Sequence, residues 1–165
     1  MKKVISWDEY FMGVALMCAL RSKDESCQVG ACIVNSKKRI VSTGYNGMPS
    51  KCDDEKMPWG KGDTSYLANK HYYVCHAELN AILSSRSDLT DCILYVALYP
   101  CNECAKAIIQ SGIKEIVYLS DENADKEFYK ASKYMLEVAG IKARKLVTEL
   151  KNITIDFVAK EDKNN

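Results

Sequence analysis

The sequence lacks three features that would place it in common functional classes. Its charges nearly cancel, with 23 Lys and Arg against 22 Asp and Glu, so it has no broad basic face of the kind that holds a phosphate backbone. No apolar stretch reaches membrane-spanning length, and Met1 to Ser6 lack the basic and apolar segments of a secretory signal. We therefore expect a cytoplasmic protein with neither a nucleic-acid nor a membrane partner.

Disulfide bonds are not expected either, although the chain contains eight cysteines. A chain of 165 residues can bury a core without covalent cross-links, and no targeting segment directs it to an oxidising compartment. Free thiols and metal ligands are therefore the better interpretation. Cys18, Cys32 and Cys92 lie in apolar patterns and are predicted to pack in the core.

The chain shows no internal repeat and no linker, so we predict a single domain over residues 1–165 with a flexible tail from about residue 156. The long irregular segment 47–73 contains two prolines and three glycines, as is typical of a binding loop or of disorder. Helices and strands are predicted on both sides of it. The helices are Trp7–Leu20, 76–86, 102–111 and 124–139; the strands are Gln28–Asn35, Arg39–Tyr45, Ile93–Leu98, Glu115–Leu119 and Ala143–Val147.

The order of these elements predicts the fold class. The first two strands are joined by a short polar segment, which indicates an antiparallel hairpin. The later strands alternate with helices, which implies right-handed crossovers and parallel pairing of the last three strands. We predict an α/β protein with a three-layer α/β/α arrangement around a mixed five-stranded sheet. Ile153, Ile155 and Phe157 alternate and could add an edge strand.

Two short motifs carry the chemistry: His76-Ala77-Glu78 and Pro100-Cys101-Asn102-Glu103-Cys104. Zinc is bound tetrahedrally by imidazole nitrogen and thiolate sulfur, and three protein ligands leave a fourth position for water. Side chains two residues apart diverge by about 200° in the middle of a helix, and only at its first turn can both point past its end. We predict that each motif begins a helix and that His76, Cys101 and Cys104 bind one zinc ion.

Glu78 is predicted to be the catalytic acid and base. A zinc ion with two thiolates and a neutral imidazole has no net charge and is a weak acid, so its water needs a base. A structural zinc ribbon would supply a fourth protein ligand, and a thioredoxin-like Cys-x-x-Cys site has no use for His76. A catalytically silent zinc-binding subunit is the alternative from a different functional class.

The combination of His-x-Glu with Pro-Cys-x-x-Cys resembles the signature of the zinc-dependent nucleobase deaminases. Further segments resemble the deoxycytidylate (dCMP) deaminase family, namely residues 19–24, 29–35, 44–49, 72–82 and 95–121. The resemblance implies a cytidine-deaminase-like fold and a catalytic Zn²⁺ on His76, Cys101 and Cys104. It also implies hydrolysis of dCMP to dUMP and ammonia, with Glu78 as the proton shuttle, which supplies dUMP for thymidylate synthesis. Another cytosine nucleotide or nucleoside is the alternative substrate.

Candidate substrate contacts lie outside the two motifs as well as within them. Asn46 resembles the sugar-contacting asparagine of this superfamily, although Asn before Gly47 is also a strong turn former. The backbone N–H of Ala77 could meet the pyrimidine O2. Arg21, Ser22 and Lys23 end the first predicted helix, where they could bind a 5′-phosphate or simply place charge at a helix C-terminus.

The family resemblance also implies regulation and assembly. Members are commonly homohexamers that dCTP, together with Mg²⁺, activates and that dTTP inhibits. Gly44, Tyr45, Asn46 and Gly47 lie in the segment that resembles the effector region. Some phage relatives carry a second zinc ion, for which Cys52, His71 and Cys27 are candidates that match the ligand pattern poorly.

Overall fold

A computed structural model describes residues 4–62 and 65–158 and has a mixed five-stranded sheet at its centre. The helices are α1 (Trp7–Ala19), α2 (Ala77–Ser84), α3 (Asn102–Gln110) and α4 (Glu127–Val138), with short 3₁₀ helices at Tyr66–Ala68 and Lys70–Tyr72. The strands are β1 (Gly30–Val34), β2 (Ile40–Tyr45), β3 (Ile93–Leu98), β4 (Glu115–Ser120) and β5 (Lys142–Lys145). Residues 159–165 of the predicted tail lie outside the described residues, so the tail stays a prediction.

The strand order is β2-β1-β3-β4-β5. Strand β1 is antiparallel to both β2 and β3, whereas β3, β4 and β5 are parallel to one another. The predicted hairpin and the predicted parallel pairing of the last three strands are both confirmed. Because β2 and β3 both run opposite to β1, they end at the same edge of the sheet.

Helices cover both faces of the sheet, as the alternation of side chains along β1 shows. Cys32 and Val34 point to the face that packs against Phe11, Met12 and Ala15 of α1. Ala31 and Ile33 point to the opposite face and join a core with buried residues of α2, α3 and α4. The predicted three-layer α/β/α arrangement is confirmed.

Helix ends follow sequence signals that can be recognised locally. Ser6 caps α1 by accepting a hydrogen bond from the Glu9 backbone N–H at 3.2 Å, and the Glu9 carboxylate accepts one from the Ser6 N–H at 2.7 Å. Gly112 and Gly140 follow α3 and α4 with φ angles of 78° and 71°, the left-handed conformation with which many helices end.

The predicted edge strand at Ile153, Ile155 and Phe157 is wrong, because residues 151–158 form no strand. Ile153 lies against α1 instead, where its Cδ1 would be 3.1 Å from a methyl group added to Gly13. Ile153 therefore packs on a helix rather than pairing with a sheet, whereas Phe157 is 93% exposed. Within the described ranges, no helix has both the length and the apolar character needed to cross a bilayer.

An ionic network connects α1 with strands β4 and β5. Arg144 of β5 contacts the Glu115 carboxylate at 2.6 Å and the Asp8 carboxylate at 2.7 Å. The Tyr95 hydroxyl donates to Asp8 at 2.8 Å. Glu115 pairs with Ile93 at the start of β3, so this network lies at the end of the sheet opposite to Cys101.

Candidate active site

The two motifs meet at the edge of the sheet where β2 and β3 end. Cys101 is the third residue after β3 and is the N-cap of α3, while His76 is the N-cap of α2. Neither residue makes a side-chain capping hydrogen bond to its own helix. Both helix N-termini thus face this edge, which is where ligands bind in open α/β sheets. The prediction that each motif begins a helix is confirmed.

The donor atoms of His76, Cys101 and Cys104 have the spacing of a tetrahedral zinc site. His76 Nδ1 lies 3.4 Å from Cys101 Sγ and 3.5 Å from Cys104 Sγ, and all three ligand atoms lie within 4.8 Å of one another. Bonds of about 2.0 Å to nitrogen and about 2.3 Å to sulfur at the tetrahedral angle require a nitrogen–sulfur separation of about 3.5 Å. The residues present therefore fit a zinc ion.

Glu78 lies in the first turn of α2 and is almost completely buried, with 5% of its surface exposed. Its carboxyl group interacts with the Cys104 thiol and with its own backbone N–H. Burial raises the pKa of Glu78 above its ordinary value, although the neighbouring His76 opposes this effect. A carboxyl group that can hold a proton thus lies beside the candidate metal ligands.

The three ligand side chains lie within hydrogen-bonding distance of one another. The contact with Cys101 raises the pKa of His76 to about 9, even though burial acts in the opposite direction. The hydrogen bond from Cys104 lowers the pKa of Cys101 to about 4, and the same contact, together with burial, raises the pKa of Cys104. Any metal ion must displace these protons, since zinc binds neutral imidazole and thiolate.

Gly44 allows α2 to approach β2 closely. A methyl group added to Gly44 would lie 2.4 Å from both the Ala77 carbonyl oxygen and the Ala81 nitrogen. Its neighbour Tyr45 is 40% exposed. The absence of a side chain at residue 44 therefore places the first turn of α2, and with it the candidate ligand His76, against the end of β2.

Asn46 and Gly47 lie beside the start of α2. The buried Asn46 amide accepts a hydrogen bond from the Val29 N–H at 2.8 Å and donates one to the Cys27 carbonyl at 2.9 Å. Gly47 pairs with Cys75 in both directions, at 3.1 and 2.9 Å. The predicted sugar-binding residue is thus held by the chain itself, within reach of the His76 segment, and its role with substrate stays a prediction.

The predicted phosphate-binding residues differ in exposure. Arg21 and Lys23 are exposed and Ser22 is buried. Lys23 pairs with Asp54 at 2.6 Å, and the Ser22 hydroxyl accepts a hydrogen bond from the Asp24 N–H at 3.2 Å. Their contact with phosphate stays a prediction.

Cys27, Cys52 and His71 do not form a second metal site in the part of the chain that the structure describes. Among the described residues, His76, Cys101 and Cys104 are the one set of three or more side chains whose ligand atoms lie close enough together to hold a metal ion. Cys27 and Cys52 are instead exposed free thiols.

Sequence analysis missed Tyr129 and the ion pair of Asp24 with Lys70. Tyr129, at the start of α4, is half-buried; burial raises its pKa to about 12, and the nearby Cys101 and Glu78 add to this effect. Lys70 contacts the Asp24 carboxylate at 2.6 Å, and both side chains are buried. A serine two residues after Asp24 indicates a local turn, but no pattern in the sequence indicates that Lys70 is buried.

The comparisons with known proteins agree with this geometry. Residues 5–120, well over half of the chain, match the family model described as the cytidine and deoxycytidylate deaminase zinc-binding region. The chain therefore belongs to the cytidine and deoxycytidylate deaminase family. Together with the His/Cys/Cys cluster, this membership identifies an enzyme of the zinc-dependent deaminase class.

Several relatives are named for one particular activity. Human deoxycytidylate deaminase is 51% identical over 154 residues, which cover 93% of this chain and 86% of that protein. A probable deoxycytidylate deaminase from Drosophila melanogaster is 51% identical over 162 residues, covering 94% and 80%. The crystal structure of dCMP deaminase from the cyanophage S-TIM5 in complex with dCMP and dUMP aligns with a TM-score of 0.65 at 25% identity, covering 84% of this chain and 95% of that chain.

Proposed function

We propose that this protein hydrolyses dCMP to dUMP and ammonia, with zinc held by His76, Cys101 and Cys104 and with Glu78 as the proton carrier. The observation that carries the proposal is the cluster itself: one imidazole nitrogen and two sulfurs lie within 4.8 Å of one another, and a buried carboxyl group contacts one of the sulfurs. The names of the relatives support dCMP as the substrate.

The proposed mechanism assigns two proton transfers to Glu78. Zinc, when bound, would supply a Lewis acid that makes water more acidic. Glu78 accepts a proton from the water as its oxygen forms a bond to C4 of cytosine, and it delivers that proton to N3. Glu78 then carries the second proton of the water to the amino group on C4, and the C4–N bond breaks to release ammonia. Burial keeps the carboxyl group away from bulk water during both transfers.

The proposal includes three further contacts with the substrate. The Ala77 N–H donates to the pyrimidine O2; Ala77 is the first residue of α2, where backbone N–H groups have no partner within the helix. Asn46 binds the sugar, and Arg21 with Ser22 and Lys23 binds the 5′-phosphate. The position of Asn46 beside the start of α2 supports its assignment to the sugar.

Substrate choice tests the proposal directly. Ammonia release would be measured with dCMP, dCTP, deoxycytidine and cytosine, on protein whose zinc content has been determined. We expect kcat/KM for dCMP to exceed that for each other compound by about 100-fold or more, because a site built to bind a polar group discriminates strongly against a compound that lacks it. Zinc-loaded protein that is inactive on all four compounds would instead indicate a silent zinc-binding subunit.

We also propose that dCTP, with Mg²⁺, activates the enzyme, that dTTP inhibits it, and that the active form is a homohexamer in the cytoplasm. The resemblance of residues 44–49 to the effector region of the family supports the regulatory part. The test is a set of dCMP saturation curves with and without each nucleotide, together with sedimentation analysis. Hyperbolic curves that neither nucleotide alters would contradict the regulation, and a monomer would contradict the assembly.

A further inference from the structure

A buried ion pair lies outside the two catalytic motifs and takes no part in the mechanism above. Asp24 and Lys70 are each only 3% exposed. Lys70 Nζ lies 2.6 Å from both carboxylate oxygens of Asp24 and also donates to the Ser26 hydroxyl. Removing two charges from water is costly, and the pair is tolerated because both groups are fully hydrogen-bonded.

The Asp24 carboxylate shapes the segment that follows α1. Its Oδ1 accepts hydrogen bonds from the Ser26 N–H at 3.0 Å and the Cys27 N–H at 3.2 Å. Its Oδ2 lies 3.5 Å from the Asn46 amide nitrogen, which also donates to the Cys27 carbonyl at 2.9 Å. Asp24 thus connects the end of the proposed phosphate-binding segment, residues 21–23, to the proposed sugar-binding residue Asn46.

The side chain of Lys70 contacts the Asp24 carboxylate, and its backbone belongs to the segment that leads to His76 of the metal cluster. Its N–H donates to the Gly60 carbonyl at 2.9 Å, and its own carbonyl accepts from the N–H groups of Tyr73 and Val74, each at 2.9 Å. The next residue, Cys75, pairs with Gly47 and directly precedes His76. The Lys70 side chain is therefore carried by a hydrogen-bonded backbone segment that leads into the first candidate zinc ligand, and these backbone bonds do not depend on the side chain.

We propose that Lys70 is a positioning residue that acts through Asp24 to hold residues 21–23 and Asn46 in place relative to His76. The inference rests on the proposed function, and it concerns how a nucleoside monophosphate is bound rather than how ammonia is released. Without Lys70 the buried Asp24 carboxylate loses its counter-charge. Loss of either partner would let the segment that Asp24 shapes shift, so residues 21–23 and Asn46 would no longer be held in position. The loss should therefore appear in substrate binding.

The test compares Lys70→Met and Asp24→Asn with Arg144→Met as a matched control. Arg144 also joins ion pairs, but its side chain is 32% exposed and lies at the opposite end of the sheet. For each variant, KM and kcat for dCMP, zinc content and melting temperature would be measured. We expect Lys70→Met and Asp24→Asn to raise KM about tenfold or more while kcat falls less than about threefold and zinc is retained. Arg144→Met should lower the melting temperature and leave KM unchanged.

A purely structural role would give a different result. The variants would then lose stability and active fraction, so that kcat would fall while KM stayed at the wild-type value. That outcome, or an equal rise in KM for Arg144→Met, would overturn the proposal. Lys70→Met could fail to yield folded protein. In that case Asp24→Asn tests the positioning role by the same criteria, because it keeps the size of the side chain and one acceptor oxygen.

The proposed function and the proposed positioning role of Lys70 can be contradicted independently of each other. Wild-type protein that releases no ammonia from dCMP contradicts the proposed function alone. In that case the affinity for dCMP would be measured calorimetrically for the wild-type protein and for Lys70→Met. An unchanged affinity, or no binding of dCMP to either protein, overturns the positioning role; an affinity about tenfold weaker supports it.

Discussion

Two glutamates lie in the first turns of the helices that begin at the metal cluster, and they differ in their surroundings. Glu78 of α2 is buried beside the cysteine sulfurs. Glu103 of α3 lies between Cys101 and Cys104 in sequence, but its side chain is 69% exposed and pairs with Lys106 at 2.7 Å. The difference in burial indicates which carboxyl group can act on a substrate held at the cluster.

Replacing Glu78 with Gln should therefore lower kcat for dCMP by about 10³-fold, because proton transfer by a positioned carboxyl group contributes this order of magnitude. Zinc content should remain at one ion per chain, since Glu78 is not one of the proposed ligands. Metal analysis and an ammonia assay measure both quantities. Glu103→Gln is the control and should retain wild-type turnover. A Glu78→Gln protein with more than about a tenth of wild-type activity would exclude the proposed role.

For individual residues, the spacing of side chains along the sequence determined what could be predicted. His76 and Glu78 fall at a helix start because only there can side chains two residues apart converge, and the structure places them there. Lys70 could not be predicted in the same way. Its burial depends on Asp24, which is 46 residues away in sequence, and a lysine in a polar loop is normally exposed.

Among the elements, the close contact between β2 and α2 at Gly44 leaves no room for a side chain. Gly44→Ala should destabilise the protein by about 2 kcal/mol or more, because its methyl group would overlap backbone atoms of α2 that cannot move independently. Denaturant unfolding measures the change, and zinc content reports whether His76 has been displaced. Gly60→Ala is the control, since its methyl group would meet the nearest heavy atom at 3.5 Å. Equal stability of the two variants would contradict the packing argument.

The network around Asp8 should make stability depend on pH. The hydrogen bond from Arg144 is the main cause that lowers the pKa of Asp8 below 3.8, while burial opposes it; Tyr95 and Lys142 also face this carboxylate. A group whose pKa is lower in the folded state stabilises that state above its unfolded pKa, and this contribution is lost as pH falls through the folded pKa. The stabilisation by Asp8 should therefore be complete at neutral pH and disappear in acid.

We accordingly expect Asp8→Asn to cost about 1 kcal/mol at neutral pH, and we expect the difference from the wild-type protein to shrink as the pH falls below 3.8. Urea unfolding over this pH range measures both stabilities. Asp121→Asn removes an exposed pair with Lys145 and should change stability less. A cost of Asp8→Asn that is independent of pH would show that the carboxylate charge is not responsible.

The elements themselves were largely predictable, because their periodicity is a local property. The hairpin and the three parallel strands were predicted correctly. The segment around Ile153 was not, since alternation of apolar side chains cannot distinguish pairing with a strand from packing on Gly13 of α1. Helix α4 begins at Glu127 rather than at residue 124, because turns occupy the residues between β4 and the helix.

For the whole molecule, the metal cluster joins two segments whose nearest members, His76 and Cys101, are 25 residues apart in sequence. Removal of zinc with a chelator should therefore lower the melting temperature by about 5 °C or more, since an ion that binds only the folded state stabilises it. Thermal unfolding before and after chelation, and after zinc is restored, measures the effect. His76→Ala, which lacks one ligand, should show a much smaller shift. A wild-type melting temperature insensitive to the chelator would contradict a zinc site in these residues.

The buried pair of Asp24 and Lys70 also constrains how related sequences can diverge. A substitution at one of the two positions leaves an unpaired charge in the interior, whereas a simultaneous change of both can be tolerated. Lineages in which the lysine has been lost should therefore seldom retain the acid. The residues at these two positions, which lie in loops far apart in the chain, should therefore change together during evolution.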